Sequence, residues 1–247
     1  MSSSSRSSLV PSERSSSAHD GDTQRFWKRW PSVTDTSAST LATAPGRDAG
    51  RAILRSLLST LQPGQAEDAA EALFTEFGSL SRVLAAGKDA QARVLGDQHR
   101  IMDCLSLVRE AMLHALAADI SASPLLDNTE AVAGYLHVAI AYELREHVRV
   151  LFLDNRHHLI RDEAMSSGSV ASAEIHPREV MRRALELGAT GLILAHNHPS
   201  GNPEPSRDDI IMTRAVIEAG RALQVRVLDH LIIGRHGFVS MRAQGFI

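Results

Sequence analysis

One run constrains this chain more than any other: Ala195-His196-Asn197-His198-Pro199-Ser200-Gly201-Asn202-Pro203-Glu204-Pro205-Ser206-Arg207-Asp208-Asp209. It follows Gly191-Leu192-Ile193-Leu194, an apolar stretch that reads as a buried strand. Side chains alternate along a strand, so His196 and His198 share one face and Asn197 takes the other. Pro199, Gly201, Pro203 and Pro205 then break regular structure and bend the chain back. Ser206 is a good N-cap for a helix that opens Arg207-Asp208-Asp209, which places Asp209 in the first turn, near the end to which the loop returns. A His-x-His pair by itself occurs on strands by chance; the turn prolines, the capping serine and the helical Asp are what distinguish this one. Two imidazoles and a carboxylate brought to one point predict a catalytic zinc site, with three protein ligands and an open position for water.

The pattern His-x-His, seven residues, then Ser-x-x-Asp is similar to the JAMM signature of the JAB/MPN metalloproteases. In its particular form, His196-Asn197-His198-Pro199-Ser200-Gly201, it resembles the RadC family. So do the stretch from Glu146 to Asp154, the run His176-Pro177-Arg178-Glu179-Val180, and Asp229-His230-Leu231-Ile232-Ile233-Gly234. The resemblance covers residues 125–247 well, residues 50–120 more loosely, and the first 48 not at all. It implies an α/β (α+β) fold in which a mixed sheet is flanked by helices, as in JAB/MPN domains. It also implies a Zn2+ cofactor on His196, His198 and Asp209, although this ligand set suits other first-row metals as well.

Peptide hydrolysis needs a base to take the proton of the attacking water and pass it to the leaving amine. The glutamate that does so in JAMM enzymes has its matching position here at Glu146, just ahead of the strand predicted over Val148–Leu153. The alternative for Glu146 is a solvated acid at a helix end. Glu174 and Glu179 are further alternatives, and Glu179 sits in a first helical turn, where the dipole alone favours an acid. Ser206 is structural as a cap; the resemblance also gives its hydroxyl the role of donor to the oxyanion. Asn197, Ser200 and Gly201 read as residues that shape the loop. His176 and His230 read as structural or as partners of other ligands, and His157 and His158 as solvated turn residues.

The rest of the chain divides by pattern. Residues 1–48, rich in Ser and without a periodic apolar face, read as a disordered tail. Its one exception is Arg25-Phe26-Trp27-Lys28-Arg29-Trp30, where interleaved basic and aromatic residues suit stacking on bases or contact with acidic lipid, the plainer alternative being a short local contact or nothing. Residues 49–120 read as a small all-helical domain. Apolar residues spaced for helices are punctuated by Pro63-Gly64, Gly78 and Gly87, and a long helix from about His99 to Ala118 carries Ile101, Met102, Leu105, Val108 and Met112 as its buried stripe. The short helices and Phe77-Gly78-Ser79-Leu80 resemble the helix-hairpin-helix-like N-terminal domain of RadC proteins. From residue 125 a metal-binding domain follows. A helix over Thr129–Glu146 buries Val132, Leu136, Ile140 and Leu144, and strands follow at Val148–Leu153 and from Leu159, the second bent at Gly168. A helix starts at Pro177, the motif strand and its helix come next, and strands at Arg226–Ile233 and Phe238–Met241 close the chain.

Two functions compete on this reading: a zinc metallohydrolase acting on a peptide or protein substrate, and a non-catalytic DNA-repair or recombination factor serving as a binding module. Charge bears on the choice. The chain carries a net −3, and residues 50–120 hold seven Lys and Arg against nine Asp and Glu, so weak or no nucleic-acid binding is expected. Glu67 and Asp68 beside Pro63-Gly64 would repel a phosphate there. Cys104, the single cysteine, excludes an internal disulfide framework and reads as an inert buried thiol. No apolar run approaches a membrane span and no signal-peptide core opens the chain, so the expectation is a cytoplasmic protein with no membrane partner.

Overall fold

The structure, a computed structural model, describes residues 47–125, 129–167 and 175–247. The tail to residue 46, the Arg25–Trp30 patch, Gly168 and Glu174 lie outside the described residues. Among the described residues five helices come first: α1 (Arg47–Leu61), α2 (Ala66–Phe77), α3 (Leu80–Ala85), α4 (Lys88–Leu95) and α5 (His99–Ser121). Gly78 ends α2 in the left-handed conformation, and Ser79 caps α3 by accepting from the Arg82 amide. Leu54, Leu58, Leu73, Phe74, Val83, Ile101 and Leu105 form a shared core.

Helix α5 changes partners along its length, and this corrects its expected stripe. Ile101, Met102 and Leu105 face the first core, whereas Leu113, Leu116, Ala117 and Ile120 pack against the next one. Met112 falls outside both and is exposed, and Cys104 is only half-buried. Helix α4 went unseen in the sequence because its eight residues are too few to show a period.

The remainder is α6 (Thr129–Ile140), β1 (His147–Leu153), β2 (Leu159–Ser167), α7 (Pro177–Leu187), β3 (Gly191–Asn197), α8 (Arg207–Arg221), β4 (Arg226–Ile233) and β5 (Phe238–Ser240). The five strands form one mixed sheet in the order β2-β1-β3-β4-β5. Strand β1 is antiparallel to β2 and β3, β3 is parallel to β4, and β4 is antiparallel to β5. Among the described residues no helix is long and apolar enough to cross a membrane.

Strand alternation sorts the core into two layers. Leu151, Leu153, Ile193, Ala195, Leu231 and Ile233 pack with α6 on one face. Val148, Val150, Phe152, Leu192 and Leu194 pack with α7 and α8 on the other. His196 shares the parity of Leu192 and Leu194, so it points toward α8. Asn197 shares the parity of Ile193 and Ala195, so it points toward α6. Helix α8 is the crossover between parallel strands, and its N-terminus therefore stands at the C-terminal end of β3, where α/β sheets place their ligands.

Helix α6 stops at Ile140, six residues before the expected end at Glu146. Leu144, expected in its buried stripe, is 73% exposed. The cause is tertiary: the Ala139 carbonyl, which a further helical turn would give to the Glu143 amide, accepts from Arg109 Nη2 on α5, and that amide closes a tighter turn on the Ile140 carbonyl.

At the far end of the sheet, the fully buried Asp229 ties β4 to the C-terminal segment. Its carboxyl accepts from the His230 and Arg242 amides and from the Ser240 hydroxyl. Burial outweighs these donors and pushes its pKa from 3.8 up to about 7. A folded-state pKa above the unfolded one favours folding fully below about pH 4 and loses that contribution as pH rises through about 7. Between pH 4 and pH 8, wild type should therefore lose on the order of a few kcal/mol relative to Asp229→Asn. Urea unfolding of both proteins across that range is the check; a difference that does not vary with pH would refute it.

Candidate metal centre

The site is assembled from the end of β3, the loop after it and the first turn of α8. His196 is the penultimate residue of β3 and is fully buried. Just past the strand, the His198 amide donates to the Ile233 carbonyl (3.2 Å) and the Gly201 amide donates back to the His198 carbonyl (2.8 Å). Gly201 has φ +87°, a conformation that favours glycine. The loop rests on the turn after β4: Arg235 Nη2 donates to the Pro199 carbonyl at 2.6 Å. A β-carbon on Gly234 would stand 2.6 Å from the Gly201 oxygen, so the contact requires glycine there.

Ser206 caps α8 in a reciprocal capping box. Its hydroxyl accepts from the Asp209 amide (3.1 Å) and donates to Asp209 Oδ2 (2.7 Å), and its own amide donates to the same oxygen (2.7 Å). The cap thus fixes Asp209 as it starts the helix, and one carboxylate oxygen lies against each histidine. Asp209 Oδ1 is 3.2 Å from His196 Nε2 and Oδ2 is 3.3 Å from His198 Nε2. The two Nε2 atoms are 2.9 Å apart.

One ligand atom from each of His196, His198 and Asp209 lies within 4.8 Å of the others, a group able to hold a metal ion. Donors at 2.0–2.1 Å from a tetrahedral zinc stand about 3.3 Å apart, close to the separations found here. The donor chemistry fits too. His198 Nδ1 donates to the Asn202 carbonyl at 2.8 Å, which leaves Nε2 with its lone pair toward the centre. His196 Nδ1 lies 2.7 Å from His230 Nε2, so its Nε2 also faces the centre.

Electrostatics agree with a cation site. Burial alone would raise the Asp209 carboxyl, but the imidazoles of His196 and His198 set against its two oxygens overcome it and favour the charged form, holding the pKa well below the usual carboxylate range. The His198 pKa is shifted upward, first by the Asp209 carboxylate beside its ring, with burial opposing, and the charge of Glu146 adds to the rise. The His198 side chain is 18% exposed against 0% for His196, so the centre opens to solvent on the His198 side.

Glu146 stands beside this opening. Val148 pairs with His196 across antiparallel β1 and β3. Glu146 lies two residues before Val148 and His198 two after His196, so the same register brings them alongside each other. Glu146 is half-buried, in the irregular segment between α6 and β1, rather than at a helix end. Glu179 instead pairs with Arg178 and Arg182. His157 and His158, expected in solvent, are both half-buried.

Sequence reasoning assigned Asn197 to the loop; it holds the Glu146 segment instead. Fully buried, it accepts the His147 amide on Oδ1 (2.8 Å) and donates Nδ2 to the carbonyls of Glu143 (3.3 Å) and Arg145 (3.1 Å). The backbone on both sides of Glu146 is thereby fixed to the motif strand. A signal was present: a polar side chain on the core face of a buried strand must find partners. Asn197→Ala removes three such bonds and should cost about 3 kcal/mol in chemical unfolding. A loss below about 1 kcal/mol would show that water replaces them.

A family model described as RadC-like JAB domain matches residues 126–246. That stretch contains the whole sheet and every side chain of the centre.

Proposed function

From a RadC-like JAB domain whose metal centre keeps every ligand position, we propose that the protein is a zinc-dependent metallohydrolase of JAMM type that cleaves a peptide or isopeptide bond. The observation that carries this reading is the convergence of His196, His198 and Asp209 with Glu146 at the open side of the centre. His196, His198 and Asp209 hold the ion. When bound, zinc supplies Lewis acidity that brings the pKa of a water to about 7.

The chain's own groups do the rest. Glu146 takes the proton from the attacking water and returns it to the leaving amine. Asn197 keeps the Glu146 backbone in register with His198. Ser206, whose hydroxyl hydrogen lies on Asp209 Oδ2, reorients to donate to the oxyanion that develops at the scissile carbonyl. The half-open face at His198 admits the substrate. The partner is a peptide or protein rather than nucleic acid, and the setting is the cytoplasm.

The test is zinc stoichiometry by elemental analysis together with cleavage of peptide and isopeptide-linked substrates, with and without a chelator. About one zinc per chain and cleavage lost on chelation and restored by zinc are expected. A well-folded protein that takes up no zinc would overturn the hydrolase reading and leave a binding module. Retention on DNA that falls steeply with salt would then favour the repair-factor alternative.

A further inference from the structure

Behind His196 lies a chain of hydrogen bonds that ends on the backbone of another ligand. His196 Nδ1 is 2.7 Å from His230 Nε2, His230 Nδ1 is 2.6 Å from Thr213 Oγ1, and Thr213 Oγ1 is 2.5 Å from the Asp209 carbonyl oxygen. His196, His230 and Thr213 are each 0% exposed, so no solvent substitutes for a missing hydrogen. We propose that His230 and Thr213 are positioning residues that set the tautomer of His196 and so present its Nε2 lone pair to the metal; this rests on the reading of His196 as a ligand.

The hydrogens can be assigned one at a time from the far end. A carbonyl only accepts, so the single hydrogen of the Thr213 hydroxyl points at Asp209 O. Thr213 Oγ1 can then only accept from His230, which puts a hydrogen on His230 Nδ1. A neutral imidazole carries one hydrogen, so with that hydrogen on Nδ1 the His230 Nε2 is a bare acceptor. It must receive the hydrogen of His196 Nδ1. His196 Nε2 is thereby left with its lone pair, directed between His198 and Asp209.

The opposite order is worse at both ends. It would put a hydrogen on His196 Nε2, where it takes the place a metal would occupy. It would also turn the Thr213 hydroxyl from the carbonyl, leaving two oxygen lone pairs facing each other at 2.5 Å. The hydroxyl's other neighbour, Met241 Sδ at 3.7 Å, is a weak acceptor and no compensation. Both metal-facing imidazoles are therefore oriented by backbone carbonyls, His198 directly by Asn202 and His196 through two side chains by Asp209. Because the last carbonyl belongs to Asp209, the capped first turn of α8 that places one ligand also sets the protonation of a second.

Two readouts test this: zinc affinity by competition with a chromophoric chelator, and the ring nitrogen-15 shifts of His196 in the metal-free protein. Wild type should show His196 with its hydrogen on Nδ1. Thr213→Val, near-isosteric but without the hydroxyl, and His230→Leu, without the acceptor, should each bind zinc about 10- to 100-fold more weakly. His230→Gln, which keeps an acceptor for His196 Nδ1, should recover affinity to within a few-fold of wild type. A purely structural role would lower thermal stability in these variants and leave zinc affinity unchanged, and that pattern would overturn the proposal. So would His196 carrying its hydrogen on Nε2 in metal-free wild type, a result that does not depend on any variant folding. Wild type that takes up no zinc would instead remove the ligand role of His196, and the proposal with it.

Discussion

His198→Ala is expected to yield a folded protein that no longer retains metal. His198 offers one of the three candidate ligand atoms, and its loss should weaken zinc binding by more than the roughly 100-fold typical of changes in the groups that merely support a ligand. The fold should survive because His198 lies just beyond β3, is partly exposed, and its ring reaches the backbone only through the Asn202 carbonyl. Asp209→Ala would be less clean, since it removes half of the α8 capping box, and His196→Ala would leave a void against His230 in the core. Elemental analysis after dialysis, with thermal unfolding alongside, is the check. Full metal occupancy in folded His198→Ala would show that the ion sits elsewhere or is held without this residue.

Glu146→Gln should separate binding from chemistry. The substitution keeps shape and removes the basic oxygen, and Glu146 is not among the grouped ligands, so zinc content should equal that of wild type. Hydrolysis should fall by about 100- to 10,000-fold, the range general-base catalysis contributes. The backbone at this position is held through Asn197 on its neighbours rather than by the Glu146 side chain, so stability should hardly change. Turnover measured beside metal content decides the matter: a zinc-loaded Glu146→Gln that cleaves as fast as wild type would exclude Glu146 as the base.

Much of the architecture was legible because it rests on local rules. Pro177 opens α7 and Gly188, in the left-handed conformation, closes it, as residue types at helix ends predict. Ser206 and Asp209, three apart, form the cap that their spacing allows. The failures share one cause. The stripe through Val132, Leu136, Ile140 and Leu144 is a valid helical pattern, yet Leu144 lies outside the helix because Arg109, over 30 residues before it, takes the Ala139 carbonyl and the Glu143 amide turns back to Ile140. Met112 continues the spacing of Ile101 and Leu105, but α5 exchanges one core for another before reaching it.

Local spacing set the candidate ligand group and its frame: two histidines of like parity at a strand end, a breaking loop, and a capped helix whose first turn carries the aspartate. Those features depend on intervals of two to four residues, over which backbone geometry is nearly fixed. The tertiary structure alone decided what lies around them. The pairing of β1 with β3 brings Glu146 to His198, strand parity turns Asn197 toward the Glu146 segment, and the parallel pairing of β3 with β4 puts His230 behind His196 from 34 residues away. Such meetings are set by sheet register and by which face each strand buries. Those are properties of the packed whole, on which the spacing within any one segment is silent.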